Sequence, residues 1–223
     1  MAPDNIFLRA ATWILPLVFA IVLHEISHGW VASAFGDSTA RDKGRLSLNP
    51  IRHVDPFGTI ALPLVLAVSG APVFGWAKPV PVVARRLRRP RLHMVLVALA
   101  GPGMNLLLAL LATALLALLR WFGPGGGLGW AFLYLNLANF LVINIFLAVF
   151  NLLPIPPFDG GHVVEGLLPR RLVRSWRRLG RFGFPLLILL LVVVPMVAPG
   201  ADIVARLVGP PVEWIIRLLA ALI

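Results

Sequence analysis

The chain has 223 residues, of which 59% are hydrophobic and 13% are charged, and its mean hydropathy is +0.91. This composition excludes an ordinary soluble domain and predicts an all-α polytopic membrane protein. The chain has no cysteine, which excludes disulfides and thiolate metal ligands. The net charge of +11 comes largely from short loops between apolar runs, so we expect these basic residues to face anionic lipid and not nucleic acid.

The first half of the chain predicts one full crossing and one irregular element. An apolar run from about Ile6 to Phe35 is expected to be a retained membrane span. In the polar, basic stretch that follows, Gly44 to Leu48 alternate in polarity as a short strand would. The next run, Pro56 to Trp76, is apolar but is broken by Pro63, Gly70, Pro72 and Gly75. We expect it to form a small re-entrant or β-hairpin element near the cytoplasmic face.

The second half contains two further full crossings, Leu92 to Leu119 and Trp130 to Leu153, separated by the glycine-rich turn Gly123 to Gly129. Another hydrophobic run covers Phe182 to Val197. The last run, Ile203 to Ile223, is amphipathic, and the sequence leaves open whether it spans the membrane or lies at its surface. About four to six transmembrane helices are therefore expected in all.

These elements indicate a single membrane-embedded domain over residues 1–223, with a core at 6–161 and C-terminal hydrophobic helices at 182–223. Three basic loops, Arg41 to Arg52, Lys78 to Arg91 and Arg170 to Arg181, are expected at the cytoplasmic face because lysine and arginine in short loops are retained there. The N-terminus and the glycine-rich turn would then lie on the opposite side.

The motif that points to chemistry is HEISH, residues 24–28, inside the first apolar run. His24 and His28 are four residues apart, so a helix presents both imidazoles on one face, where they could bind one zinc ion. Glu25 is placed to act as a general base towards a water molecule at such a metal. The alternative is that these residues only pair with one another to hold helices together, but burying three such groups in a membrane is costly and favours a functional site.

Catalytic zinc usually has three protein ligands and one water, so a third His, Asp or Glu at a similar depth is needed. Asp159 is distinctive because it directly follows an apolar helix and a proline cluster that must unwind the chain. Irregular backbone at membrane depth is tolerated only around a polar cavity. The other acidic and histidine residues lie mostly in polar loops or near the termini: His53, His93, His162, Asp4, Asp37, Asp42, Asp55, Glu165, Asp202 and Glu213.

Three motifs together resemble the site-2 protease family of intramembrane metalloproteases: HEISH, GPGMN at Gly101 to Asn105, and NLLPIPPFDGG at Asn151 to Gly161. The string FGWAKPVPV, Phe74 to Val82, is similar to the compact bacterial branch that lacks a PDZ domain. The likeness covers the chain from about Ile14 to Gly161. It implies an all-helical intramembrane protease in a bacterial cytoplasmic membrane, using one Zn²⁺ per chain.

By matching motif positions, the resemblance implies that Asp159 is the third zinc ligand, with Phe158 in place of the usual leucine. It also implies substrate-binding roles for Asn151, in direct contact, and for Asn105, in support. The remaining intramembrane asparagines are expected to hydrogen-bond between helices: Asn136, Asn139 and Asn144. Glu165 is expected to pair with an arginine of the third basic loop.

The expected function is hydrolysis of peptide bonds in or near transmembrane segments of membrane-protein substrates, as in regulated intramembrane proteolysis. The substrate must unwind locally, and an exposed edge at Gly44 to Leu48 or Phe74 to Val82 could hold it extended by β-augmentation. The alternative is a divalent-metal transporter or metal-sensing protein, because intramembrane His and Asp residues also mark ion pathways. A transporter has no need for Glu25 directly after the first histidine, whereas hydrolysis does.

The zinc hypothesis also constrains topology. If Pro56 to Trp76 crossed the bilayer fully, the later helices would invert and place Asp159 up to about 30 Å from the two histidines. A hairpin that enters and leaves on one side keeps all three residues at one depth.

Overall fold

The computed structural model of the protein describes residues 6–69, 75–123, 125, 127–198 and 203–223, and within these residues it contains helices and no strand. The three longest helices are α1 (Ile6–Ala34), α4 (Pro90–Trp121) and α5 (Leu128–Asn151). Shorter elements between α1 and α4 are α2 (Thr39–Asp42), a 3₁₀ turn (Pro50–His53), a π-helical turn (Pro56–Ala61), α3 (Leu62–Ser69) and a 3₁₀ turn (Ala84–Arg86).

After α5 come α6 (Asp159–Leu167) and α7 (Arg170–Gly180), and then α8 (Gly183–Ile188), which a π-helical segment (Leu189–Val193) joins to α9 (Val194–Val197). The last helix is α10 (Ile203–Ala220). Apart from Pro56 to Trp76, the predicted apolar runs therefore form helices whose ends differ from the predicted ends by only a few residues.

The helices α1, α4 and α5 form the bundle that holds the site. Helices α1 and α5 run parallel. Asn139 Nδ2 of α5 donates to Thr12 O of α1 (2.7 Å), and further along both helices Asn105 Nδ2 donates to Ala20 O (3.4 Å) and to Asn144 Oδ1 (2.8 Å). Helix α4 runs antiparallel to α1, since Arg88 N contacts Phe35 O (3.0 Å) just before α4 begins. Alanines lie buried where α4 and α5 meet, so the helices approach closely.

The chain is a membrane protein. Among the described helices, α1, α4 and α5 are long and apolar enough to cross a membrane, and α7 with Gly183–Val197 would make a fourth if that bent pair is one span. This is at or just below the lower limit of the four to six crossings expected. Helix α10 packs against α4 and α5 through Val208 and Val212, but it carries three charged residues, which excludes it from that set.

The segment that begins at Pro56 is a hairpin, as predicted from the metal geometry. Its helical arm consists of a six-residue π-helical turn and the eight residues of α3, together about 21 Å, which is shorter than a bilayer core of about 30 Å. The chain then returns to its starting point, because Trp76 N donates to Gly58 O (3.2 Å) and Lys78 N donates to His53 O (2.8 Å). Residues 70–74, which include part of the predicted edge at Phe74 to Val82, lie outside the described residues.

The prediction of a strand at Gly44 to Leu48 is wrong. The β-hairpin alternative for Pro56 to Trp76 is wrong too, because its first arm is helical and no described residue of the segment lies in a strand. Gly44 has a φ of +60°, which turns the chain away from an extended path. The backbone groups that a strand would pair are used locally: Arg45 N donates to Ala40 O (2.8 Å) and the Arg52 side chain donates to Gly44 O (2.9 Å). This loop is held by arginine side chains and not by a sheet.

Candidate functional site

Two histidines and one aspartate meet at the end of the bundle where α1 and α5 end and α4 begins. His24 and His28 lie one turn apart on α1, both are buried, and their Nε2 atoms are 3.2 Å apart. Asp159 is the first residue of α6, and its Oδ2 lies 3.3 Å from His24 Nε2 and 3.4 Å from His28 Nε2. The structure thus brings together the three residues predicted as zinc ligands.

Asp159 reaches the histidines because the chain unwinds directly after α5. No helix forms between Leu152 and Phe158, where three prolines remove backbone donors, and α6 begins at Asp159. Gly160 packs so closely on this turn that a side chain there would collide with the carbonyl oxygen of Leu152. The prolines and the glycine therefore fold the turn back against its own backbone and fix the position of Asp159.

The second nitrogen of each imidazole has a buried partner. His24 Nδ1 is 2.5 Å from Asn105 Oδ1, and His28 Nδ1 is 2.7 Å from Val97 O, both on α4. Asn105 Nδ2 in turn donates to Asn144 Oδ1 on α5 (2.8 Å), which leaves the Asn105 oxygen to accept from His24. Both histidines therefore carry their proton on Nδ1, and both Nε2 lone pairs face Asp159.

These three ligand atoms fit a tetrahedral metal ion. A zinc ion with bonds of about 2.0 to 2.1 Å separates its ligand atoms by about 3.3 to 3.4 Å, close to the 3.2, 3.3 and 3.4 Å observed. Asp159 Oδ2 is buried and accepts no hydrogen bond from the described residues, so two lone-pair nitrogens and an unpaired carboxylate oxygen face one another. A metal cation bound between these three atoms satisfies all of them at once.

Gly101 on α4 keeps the approach to the histidines open. A Cβ atom at this position would lie 2.5 Å from both His24 Cε1 and His28 Nε2. Only a glycine allows α4 to pass this close to the imidazoles. The first glycine of GPGMN is thus explained by the site itself.

Glu25 is half-buried and contacts the segment that returns from the hairpin. Its Oε2 accepts a hydrogen bond from Val80 N (2.8 Å), and Val80 is itself buried. Residues 75–83 contain no helix. The side chain of Glu25, the predicted general base, therefore extends from α1 to a non-helical stretch of chain.

The other candidate residues are not part of the three-ligand group. The Asn151 side chain donates to Leu147 O of its own helix (2.9 Å), and no contact of Asn151 with the three ligands is described. Asn105, predicted to support substrate binding, is fully buried against His24. His53 binds Ser47 O and His93 stacks on Phe35, both away from the site. Glu165 pairs with Arg177 (2.8 Å), as predicted.

Two buried polar residues, Asn144 and Asp37, have contacts that the sequence did not predict. Asn144 was assigned only to interhelical hydrogen bonding, although its contact with Asn105 places it in a chain that ends at His24. Asn144 lies seven residues before Asn151, which is two turns earlier on the same face of α5, and this spacing could have indicated that Asn144 faces the site. Asp37 was grouped with loop residues, but it is fully buried and binds Thr39 and the Val83 N–H (2.5 Å).

Asp37 ties the end of α1 to the stretch that contacts Glu25. Burial raises the pKa of Asp37, but the hydrogen bonds from Thr39 and Val83 and the nearby Arg86 outweigh this effect and hold the pKa below its ordinary value. The carboxylate therefore stays ionised and keeps residues 75–83 attached to α1.

Replacing Asn144 with leucine is expected to weaken zinc binding. Loss of the Asn144 oxygen frees the Asn105 amide to rotate, so His24 loses its fixed orientation; such outer partners typically contribute about 10- to 100-fold in metal affinity. Asn136→Leu is the matched control, because Asn136 makes the same bond to the carbonyl four residues back but does not reach the site. Competition with a zinc chelator measures both variants, and equal zinc affinity in the two would contradict the role of Asn144.

The apolar helical bundle and the His24, His28 and Asp159 group together are the features of a membrane-embedded metalloenzyme. The chain belongs to Peptidase family M50, the site-2 protease family, whose family model matches residues 12–132 and 129–193. It is therefore a metalloprotease of the zinc-dependent type, and Zn²⁺ is its cofactor.

Its relatives carry consistent names. The chain is 38% identical over 207 residues to "Putative zinc metalloprotease YwhC" of Bacillus subtilis, a match that covers 87% of this chain and 89% of that protein. It is 32% identical over 184 residues to "Putative zinc metalloprotease Rip2" of Mycolicibacterium smegmatis. This match covers 82% of this chain and 65% of that protein. No solved structure matches the chain.

Proposed function

We propose that this protein hydrolyses peptide bonds in or near transmembrane segments of other membrane proteins, with zinc held by His24, His28 and Asp159 and with Glu25 as general base. The observation that carries the proposal is that the ligand atoms of His24, His28 and Asp159 lie within 4.8 Å of one another inside the helical bundle, with Glu25 next to His24 in sequence. The membership in Peptidase family M50 supports the same chemistry.

The bound zinc ion would supply Lewis-acid chemistry, polarising the scissile carbonyl and acidifying water. Glu25 takes a proton from the attacking water onto its carboxylate and then delivers one to the leaving amine. The proton that each histidine carries on Nδ1 is directed away from the substrate, towards Asn105 and Val97. The histidines therefore act as neutral ligands and do not take part in proton transfer.

Residues 75–83 are the proposed place where the substrate is held. A transmembrane helix satisfies all its amides internally, so it must unwind before a peptide bond can reach the site. The non-helical chain at 75–83 lies next to Glu25 through the Val80 contact. Many of its backbone groups are bonded within the protein, but the backbone of Ala77 and of Val82 makes no hydrogen bond among the described residues and is available to an unwound substrate. Asn151, near the end of α5, remains the predicted side-chain contact to the substrate.

Metal transport is the alternative use of an intramembrane His-His-Asp group. Glu25 separates the two functions, since transport through these three ligands does not need it. The carboxylate is not a member of the described metal group and instead contacts the hairpin exit, a position that suits a base more than a fourth ligand.

The proposal is tested by comparing the membrane proteomes of cells that carry the wild type or Glu25→Gln. We expect specific single-span proteins to accumulate uncut in the variant and their cleaved forms to return with the wild type. Glu165→Gln serves as the control. It also replaces a glutamate carboxylate with an amide, but Glu165 pairs with Arg177 and does not contact the site. Identical cleavage patterns in all three strains would reject the proposed function.

We also propose that the protein resides in a bacterial cytoplasmic membrane with the site near the cytoplasmic face. Single cysteines can be placed without background, because the chain has none. We expect Arg88→Cys to react with an impermeant label only from the cytoplasmic side and Leu128→Cys only from the other side, because α4 separates these positions by one crossing. Labelling of both from one side would contradict this topology.

A further inference from the structure

Helix α7 (Arg170–Gly180) differs from all other described helices in having an almost continuous basic face. Its sequence, RRLVRSWRRLG, continues into Arg181. At 3.6 residues per turn, the arginines fall within about one third of the helix circumference: Arg170, Arg171, Arg174, Arg177, Arg178 and Arg181. All six are exposed, so the helix presents a concentrated positive surface.

The rest of the circumference divides into two parts. One part faces the protein: Trp176 Nε1 donates to Gly161 O (3.0 Å), and Val173 lines a cleft together with Pro90 and Met94 of α4. The other part carries Leu172 and Leu179, each 51% exposed, next to the arginines. An apolar strip beside a basic face is the pattern of a helix that lies in a membrane interface.

The orientation of α7 agrees with a position in the membrane interface. It is bent by 57° relative to the apolar segment Gly183–Val197 that follows, so the two do not form one straight span. Arg91, at the start of α4, donates to Gly166 O (2.8 Å) just before α7. Helix α7 therefore lies at the same end of the bundle as the basic loops, where a bilayer surface would meet the protein.

We propose that α7 is a docking surface for anionic phospholipid headgroups, with Arg171, Arg174 and Arg178 as its principal contacts. These three arginines have no ion-pair partner among the described residues, unlike Arg177, which binds Glu165. The charge of the face selects a negative partner, and the adjacent exposed leucines require that partner to be continuous with acyl chains. A soluble anion satisfies the first condition but not the second.

Lipid docking on α7 also bears on the metal site. The Trp176 hydrogen bond ends on Gly161, two residues after Asp159. A lipid that fixes α7 therefore also fixes the turn that carries Asp159. This consequence does not depend on the reaction that the site performs.

The test places a donor fluorophore on Ser175→Cys, an exposed position on α7 in a chain without other cysteines. The full-length protein is reconstituted in nanodiscs containing acyl-labelled phosphatidylglycerol or phosphatidylcholine as energy-transfer acceptor. We expect several-fold enrichment of phosphatidylglycerol near α7, reduced by high salt. Arg171→Gln, Arg174→Gln and Arg178→Gln together should bring the enrichment close to that of phosphatidylcholine, since each arginine near an anionic surface contributes about a fivefold change.

The matched control removes the same charge from loops at the same end of the bundle, with Arg41→Gln, Lys43→Gln and Arg85→Gln. Enrichment that persists in the control and is lost in the α7 variant supports the proposal, while equal enrichment in the two overturns it. Two further outcomes also overturn it: displacement of phosphatidylglycerol by inorganic phosphate beyond the effect of chloride at equal ionic strength, or arginine-dependent binding of an RNA oligonucleotide in zwitterionic nanodiscs. The salt dependence of the wild type keeps the test decisive if the triple variant does not fold.

Discussion

Glu25→Gln is expected to lower peptide-bond hydrolysis by about 10²- to 10⁴-fold, the usual contribution of a general base, while leaving zinc bound. Zinc is retained because the ligand atoms belong to His24, His28 and Asp159, and the amide can still accept the hydrogen bond from Val80 N. Cleavage of a membrane-spanning peptide and metal content, measured on the same purified sample, check both halves of the expectation.

The size of the effect separates a base from a structural carboxylate. Glu165→Gln removes only an exposed ion pair with Arg177 and should leave cleavage close to that of the wild type. Proteolysis by Glu25→Gln at the wild-type rate would falsify the assignment of Glu25. Loss of zinc in that variant would instead make Glu25 a ligand.

Gly101→Ala is expected to abolish zinc binding and, with it, activity. The added methyl group would lie 2.5 Å from His28 Nε2 and 2.6 Å from His24 Nε2, in the space between α4 and the ligand atoms. Either the imidazoles rotate away or α4 moves, and overpacking of this kind typically costs about 1 to 3 kcal/mol of stability. Zinc content and thermal unfolding of the variant distinguish a blocked site from a general loss of fold.

Gly103→Ala is an almost ideal control for this change. It lies two residues further along the same helix, and a Cβ atom there would have no neighbour within 4 Å. Because alanine favours a helix over glycine by up to about 1 kcal/mol, this variant should be as stable as the wild type or more so, with normal zinc binding. Full zinc binding by Gly101→Ala would show that α4 does not approach the histidines as closely as described.

Most of the helical fold could be predicted from the sequence, because long apolar runs can satisfy their backbone only as helices in a bilayer. The hairpin at Pro56 was predicted for a different reason. Its composition was ambiguous, but His24 and Asp159 could share one metal only if this segment did not cross. The observed return of Trp76 to Gly58 follows that constraint.

The loop at Gly44 to Leu48 shows where local sequence fails. Its alternation suggested a strand, yet its conformation depends on contacts that are remote in sequence, such as the Arg45 side chain donating to Lys78 O (2.7 Å). Such hydrogen bonds exist only after the hairpin has brought residue 78 back to the loop. No periodicity within five residues can report them.

The metal ligands of the site could be predicted from local sequence, but their hydrogen-bond partners could not. The spacing of His24 and His28 predicted that both side chains lie on one face of α1. The proline cluster before Asp159 distinguished it from the other acidic residues as a candidate third ligand. The partners of the histidines, Asn105 and Val97, depend on how α4 is rotated and shifted against α1. That register is set by packing of the whole bundle, so Asn144 resembled any other intramembrane amide.

The most direct test of the account uses proteoliposomes that contain the purified protein, a panel of single-span peptides with helix-breaking residues in their membrane segments, and a zinc-sensitive dye inside the vesicles. We expect new peptide termini within the membrane segments, lost on chelation and restored by zinc, with no rise in internal zinc. Glu25→Gln should yield neither cleavage nor zinc flux. Zinc flux that requires His24, His28 and Asp159, with no cleaved peptide, would contradict the assignment as a protease and identify the protein as a transporter.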